Sequence, residues 1–297
     1  MKDIMGLKDI AFPNLGIYLE NVPQGFYVGD FFIYFYGCFI ALGVLSGILM
    51  AAHMAKKTGQ NPDLYWDFLP YALIFSIMGA RIYYVIFSWD EFKGNLLGIF
   101  NMRSGGIAIY GAIIGAYITL YVFAKLKKQS MLLMGDTAMS GLILGQIVGR
   151  WGNFFNREVF GGYTDSLLAM RIPIDAVRDA GDITEQISSH IVEGTNYIQV
   201  HPTFLYEGGL NLIVFIIMLL YTKHKKFNGE ICLLYLGGYG IVRFFVEGIR
   251  TDRLLIGGTN IAISQLIGIV CFVAAVVVDV IVRIRLKNKK VEGNPTN

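Results

Sequence analysis

Seven apolar runs, each long enough to cross a bilayer, constrain this chain more than anything else in it. A hydrocarbon core about 30 Å thick takes roughly 20 apolar residues of helix. Such runs stand at about 31–54, 68–89, 105–126, 131–153, 203–222, 229–249 and 260–284. Water-soluble domains carry about 25% charged residues, whereas this chain of 297 residues is 16% charged and 55% hydrophobic. In lipid, each backbone N–H and C=O must be satisfied within the protein, which favours helices for runs of this length. The expectation is an all-α integral membrane protein, a seven-transmembrane-helix bundle with a small extracytoplasmic head, forming a single polytopic domain over 1–297.

The lysines predict its orientation. Lys56 and Lys57 close the first run, Lys125, Lys127 and Lys128 the third, Lys223, Lys225 and Lys226 the fifth, and Arg283, Arg285, Lys287, Lys289 and Lys290 the seventh. No even-numbered run ends in a run of lysines. Basic loops stay in the cytoplasm, so all four clusters share that side, with the N-terminus outside and the C-terminus inside. The outer side then receives an arm over 1–30 and a polar insertion over 154–202, expected to form the head from short mixed elements.

Composition excludes several functions. Cys38, Cys232 and Cys271 are far apart and each lies in an apolar run, which suits neither a disulfide framework nor a zinc site. No paired-histidine helix or glycine-rich phosphate loop is present, so no metal or cofactor is expected. No basic patch interleaved with exposed aromatics points to nucleic acid. Acidic residues and the lack of an early apolar run in the first thirty positions argue against a cleavable signal peptide.

What remains is charge at the outer ends of the spans. The stretch GRWGNFFNREVFGG, residues 149–162, follows an apolar run yet holds Arg150, Asn153, Asn156, Arg157 and Glu158. If the helix continues, Arg150, Asn153 and Arg157 share one face. The sixth run closes with Arg243, Glu247, Arg250, Asp252 and Arg253, the first three at helical spacing. His201, Tyr206 and Glu207 open the fifth run, Tyr110 lies near the start of the third, Tyr34 and Tyr36 open the first, and Arg81 lies in the second. Ionised groups in a span normally face a protein interior or a wet cavity. Arginine dominates this side and lysine the other. The planar guanidinium fork binds phosphate oxygens in pairs, where lysine is a point charge. A phospholipid headgroup held between helices is the expected ligand. An anion pathway would need polar groups through the cytoplasmic half as well, where Asp136 and Gln146 are the main candidates. A hydrolase would need a nucleophile pair, and none is evident.

These residues resemble the signature of bacterial prolipoprotein diacylglyceryl transferases. The resemblance rests on Gly149-Arg150-x-Gly152-Asn153-Phe154-x-Asn156-x-Glu158-x-x-Gly161, His201-Pro202-x-x-Leu205-Tyr206-Glu207, Gly105-Gly106-x-x-x-Tyr110-Gly111, Arg243-x-x-x-Glu247-x-x-Arg250 and Tyr36-Gly37. It implies a seven-span enzyme of the bacterial cell membrane with its active site toward the outer face. Such an enzyme moves the diacylglyceryl group of phosphatidylglycerol to the lipobox cysteine of a prolipoprotein signal peptide, the first step of lipoprotein maturation, and releases glycerol phosphate. Carried over, Arg150 binds the lipid phosphate, Asn153, Glu158 and Gly161 belong to the signature, Arg243 and Glu247 are essential partners, and Tyr36 lines the site. Arg250 and His201 are expected to contact substrate. Tyr110 stands where family members commonly have histidine, and so joins Glu158, Glu247 and the leaving phosphate itself as a candidate proton acceptor. Glu247, four residues from Arg243, is expected to orient that arginine.

Overall fold

A computed structural model describes residues 4–101 and 105–292. Helices long and apolar enough to cross a membrane number seven among the described residues. They are α1 (Phe35–Lys57), α2 (Asp63–Phe87), α4 (Ile109–Leu126), α5 (Met131–Asn156), α7 (Thr203–Tyr221), α8 (Glu230–Ile249) and α9 (Ile263–Glu292). Two single-turn helices, α3 (Trp89–Phe92) and α6 (Glu185–Ser188), lie in the connections. Large apolar side chains such as Leu42, Ile74, Ile113, Ile213 and Val270 stand about half exposed on these helices. Water would penalise that surface and lipid would not. Lysines sit where the sequence put them, Lys56 and Lys57 in the last turn of α1 and Lys125 in that of α4.

The helix limits differ from the apolar runs for local reasons. Residues Phe31–Tyr34 form strand β4, paired with β3 (Gly25–Val28), so α1 begins only at Phe35. Gly105 and Gly106 have φ of 87° and 76°, left-handed values that a helix cannot take, and α4 begins after them. The helix of the fourth run stops at Asn156, and Arg157 is itself left-handed, with φ 53°. Arg157 therefore does not share a face with Arg150. Its buried guanidinium donates to the carbonyls of Phe155, Lys8 and Val22, tying the N-terminal arm down.

The chain divides into two compact units. The first holds residues up to Gly47 and those from Leu142 onward. In it, Ile10–Phe12 (β1), Ile17–Leu19 (β2), Met170–Pro173 (β5) and Tyr197–Val200 (β6) form an antiparallel sheet in the order β2-β1-β5-β6. The arm over 1–30 and the insertion over 154–202 thus join in one sheet, with Ala11 opposite Arg171 and Arg171 opposite Gln199. Its inner face packs Ile10, Met170, Ile172 and Ile198 against Phe154 of α5 and Phe204 of α7. Burial of that apolar layer fixes the sheet over the helix ends that carry the charged residues. Helices in this unit meet through small residues. A Cβ on Gly240 of α8 would lie 2.5 Å from the Gly268 carbonyl oxygen of α9, and one on Gly43 of α1 would lie 2.8 Å from that of Gly145 of α5. Contacts this close need glycine.

The second unit is residues 48–141. Here Gly79 of α2 packs on the backbone of Gly111 and Gly115 of α4. Arg81 of α2, 7% exposed, donates to the carbonyls of Gly98, Ile99, Asn101, Gly105 and Gly106. It holds the connection into α4 and is committed there. Tyr110, the second residue of α4, lies in this unit with its ring centroid 6.3 Å from that of Tyr83.

Candidate active site

The C-terminal part of α5, the start of α7 and the C-terminal part of α8 bring charge together in the first unit. Arg150 of α5 donates from Nη2 to Glu207 Oε1 at 2.5 Å and from Nη1 to Asn153 Oδ1 at 3.2 Å. The other oxygen of Glu207, on α7, accepts from Arg243 Nη1 of α8 at 3.3 Å. Arg243 reaches on to Glu247, one turn along α8. Glu247 Oε2 lies 3.5 Å from Arg250 Nη1, and Arg250 grips Asp252 with two bonds of 2.9 and 2.6 Å. The result is a row of alternating charge: Arg150, Glu207, Arg243, Glu247, Arg250, Asp252. The Glu207 side chain is 1% exposed, against 21% for Arg150 and 16% for Arg243. A charge so deeply buried is tolerable only when paired, and Glu207 is paired twice.

Asn153 links this row to a second group. While its Oδ1 accepts from Arg150, its Nδ2 donates to Glu158 Oε1 at 3.0 Å. Asn156 donates to the same oxygen at 3.3 Å, and Arg178, from the 154–202 insertion, binds the other. Glu158 also lines a cavity of about 300 Å³ with Val159, Arg178, Asp179, Asp182 and Asp252. Val159 has φ 57°, a left-handed conformation costly for a β-branched residue. Its carbonyl accepts from the buried Thr203 hydroxyl at the start of α7, which holds the turn.

Charge sets the protonation of this rim. Burial alone would raise the Asp252 carboxyl, but the bonds and charge of Arg250 outweigh it and hold it below the ordinary aspartate value. Asp182 goes the other way, raised by burial and then by Asp252 and Asp179. Burial pushes the His201 imidazole down, favouring its neutral form.

The remaining expected site residues have definite places. Tyr36 of α1 packs on Gly152 of α5, where a Cβ would lie 2.8 Å from the tyrosine ring. His201 Nδ1 is 3.2 Å from the Tyr206 hydroxyl, and its backbone pairs with Gly161 and Gly162. Gly161 is a spacer: a Cβ there would lie 2.7 Å from the Ile249 oxygen and 2.9 Å from His201 Cβ. Arg150, Asn153, Glu158, Arg243, Glu247 and Arg250 are therefore gathered as their spacing suggested, while Tyr110 lies in the other unit. Glu207, noted in the sequence only as a rim residue, is the hub. Arg178 had no sequence signal, since it sits in an irregular segment. Tyr239, close to Arg150, was discoverable from its place one turn before Arg243. No group of three or more metal-ligating side chains occurs among the described residues.

Comparison with known proteins agrees in extent and kind. The family model described as prolipoprotein diacylglyceryl transferase matches residues 23–281. A protein of Finegoldia magna named phosphatidylglycerol–prolipoprotein diacylglyceryl transferase is 42% identical over 84% of this chain and 90% of its own length. Proteins of the same name from Clostridium botulinum (strain 657) and Clostridioides difficile (strain 630) are 37% and 38% identical, over 86% and 80% of this chain and 96% and 87% of theirs.

Proposed function

The chain belongs to the prolipoprotein diacylglyceryl transferase family, and we propose that the row of arginines and carboxylates around the buried Glu207 is where its transfer takes place. The protein is a multi-pass membrane transferase that moves the diacylglyceryl group of phosphatidylglycerol to a prolipoprotein. The observation that carries the site assignment is the convergence of Arg150 and Arg243, from two helices, on the single carboxylate of Glu207.

In this reading the acceptor is the lipobox cysteine of the prolipoprotein signal peptide. Its sulfur attacks the glycerol carbon bonded to the phosphate oxygen. A C–S bond forms as the C–O bond breaks, and glycerol phosphate leaves with the bonding pair. The thiol proton ends on the leaving phosphate, so the charge balances without a cofactor. Arg150 and Arg243 bind the phosphate and stabilise the charge that grows on it. Preorganised donors of this kind are worth about 10²–10³ in rate each. Glu207 and Glu247 already serve as acceptors for these guanidinium groups, and their role is to aim them. Asn153 keeps Arg150 in register with Glu158, while Tyr36, Gly161, His201 and Arg250 shape the surrounding wall.

The orientation follows from the lysines: N-terminus outside, C-terminus in the cytoplasm of a bacterial cell membrane, with the sheet and the site toward the outer face. The test is to incubate purified protein with phosphatidylglycerol and a lipobox peptide. A mass gain of one diacylglyceryl unit is expected, with loss of most activity in Arg150→Lys, which keeps the charge but not the fork. Near-normal transfer by that variant would discard the phosphate role.

A further inference from the structure

One turn deeper than the arginines, the same three helices carry a polar layer that the transfer step leaves unused. Gln146 precedes Arg150 by four residues on α5, and Asn211 follows Glu207 by four on α7, so each pair shares a helical face about 6 Å apart along the axis. Gln146 donates from Nε2 to the Tyr235 hydroxyl of α8 at 2.9 Å. That bond sets α5 and α8 parallel, since Arg150 joins the row at the level of Arg243. Helix α7, tied to α8 by the short connection 222–229, runs the opposite way, which brings Asn211 to the depth of Gln146.

Asn211 is fully buried, and neither its Oδ1 nor its Nδ2 has a partner among the described residues. The buried Oε1 of Gln146 is likewise unpartnered. Buried amide atoms are nearly always hydrogen-bonded, so a group bound here would find three open partners. The open atoms are two acceptors and an amide NH₂ donor. An ester carbonyl only accepts and would leave both oxygens bare. A lipid ammonium only donates and would leave the NH₂ bare. Hydroxyl groups do both.

We propose that Asn211 and Gln146 form a headgroup subsite that receives the hydroxyls of the free glycerol of phosphatidylglycerol while its phosphate lies on the arginines. The proposal rests on the phosphate reading of the site above. It makes these two amides the residues that select a polyol headgroup.

The test compares phosphatidylglycerol with phosphatidylpropanol of the same acyl chains, which lacks both headgroup hydroxyls. Transfer to a lipobox peptide by the purified full-length protein is read by mass spectrometry, and the thermal shift each lipid gives is read in parallel. Wild-type kcat/KM is expected to favour phosphatidylglycerol by roughly 100-fold or more, as a site that hydrogen-bonds a hydroxyl rejects its absence. In Asn211→Leu the ratio should fall to within about 10-fold, the discrimination left to apolar contacts, and the two lipids should give equal thermal shifts. Gln146→Met, which keeps its chain length, should lower the same ratio and decides the matter if Asn211→Leu does not accumulate. A variant that loses activity on both lipids alike, with the ratio unchanged, overturns the subsite and makes the amides structural. So does a wild-type protein indifferent to the hydroxyls. If wild type transfers from neither lipid, the phosphate reading fails instead, and the difference in thermal shift still decides the subsite.

Discussion

Glu207 does at the residue scale what no single arginine can do: it keeps two guanidinium groups from repelling each other inside the protein and aims both at one place. With its side chain 1% exposed, its loss leaves two partly buried cations short of a partner. Glu207→Gln keeps the shape and removes the charge. It should destabilise the protein by about 3–5 kcal/mol, read by thermal or denaturant unfolding in detergent, and abolish most transfer. Unchanged stability would mean that the two arginines are held by other groups. Asp182 offers a test of the opposite sign. Its folded-state value is raised by burial, Asp252 and Asp179, so ionising it works against the fold at neutral pH. Asp182→Asn is expected to raise Tm at pH 7, and the gain should fade as pH drops through the raised value to the ordinary aspartate range near about 3.9, where both states are protonated. A Tm difference that is constant with pH would refute this. Helical spacing exposed Arg150, Asn153, Arg243, Glu247 and Arg250 in the sequence, because residues three and four apart share a face. It failed at Arg157, since nothing local announces that α5 stops at Asn156 and that the guanidinium turns toward the N-terminal arm.

Elements meet here through backbone, and glycine decides how near they come. At Gly161 the strand-like segment after α5 passes between Ile249 and His201, and Gly161 bridges to Arg250. Gly161→Ala would press a methyl against a carbonyl and a Cβ that have no freedom to swing aside. The expected cost is about 1–3 kcal/mol, with a lowered affinity for phosphatidylglycerol as Arg250 shifts. Gly208 of α7 meets nothing within 4 Å, so Gly208→Ala is the control and should be neutral or mildly stabilising. Equal behaviour of the two variants in a thermal melt would remove the spacer role from Gly161. The spans were legible as elements because twenty apolar residues in a row have few other fates. The sheet was not. Its strands are three or four residues long, too short to show alternation, and β1 and β5 are separated by four of the seven spans.

For the whole molecule, the basic clusters at alternate helix ends are the strongest statement the sequence makes, and the proposed orientation turns on them. In a background with the three native cysteines replaced by serine, Leu97→Cys should react with a membrane-impermeant maleimide in intact cells. Asn61→Cys should react only after permeabilisation. Both positions are exposed, so accessibility within the protein does not confuse the result, and the reverse pattern would invert the proposed topology. The site itself was only half legible at this scale. Contributions of α5 and α8 show in their own periodicity, whereas Arg178 and the pairing of distant segments exist only once the chain has closed on itself.

Strand β1 pairs on one side with β2 and on the other with β5, and Met5 is bound to Asn196 in both directions. A ribosome reads the first of these segments long before the second. At roughly 5–20 residues per second, the opening strand must wait about ten seconds or more with an unmatched edge while helix after helix is delivered to the membrane. The charged row is complete only once α7 and α8 have followed that late partner, so the enzyme's competence comes late in its synthesis.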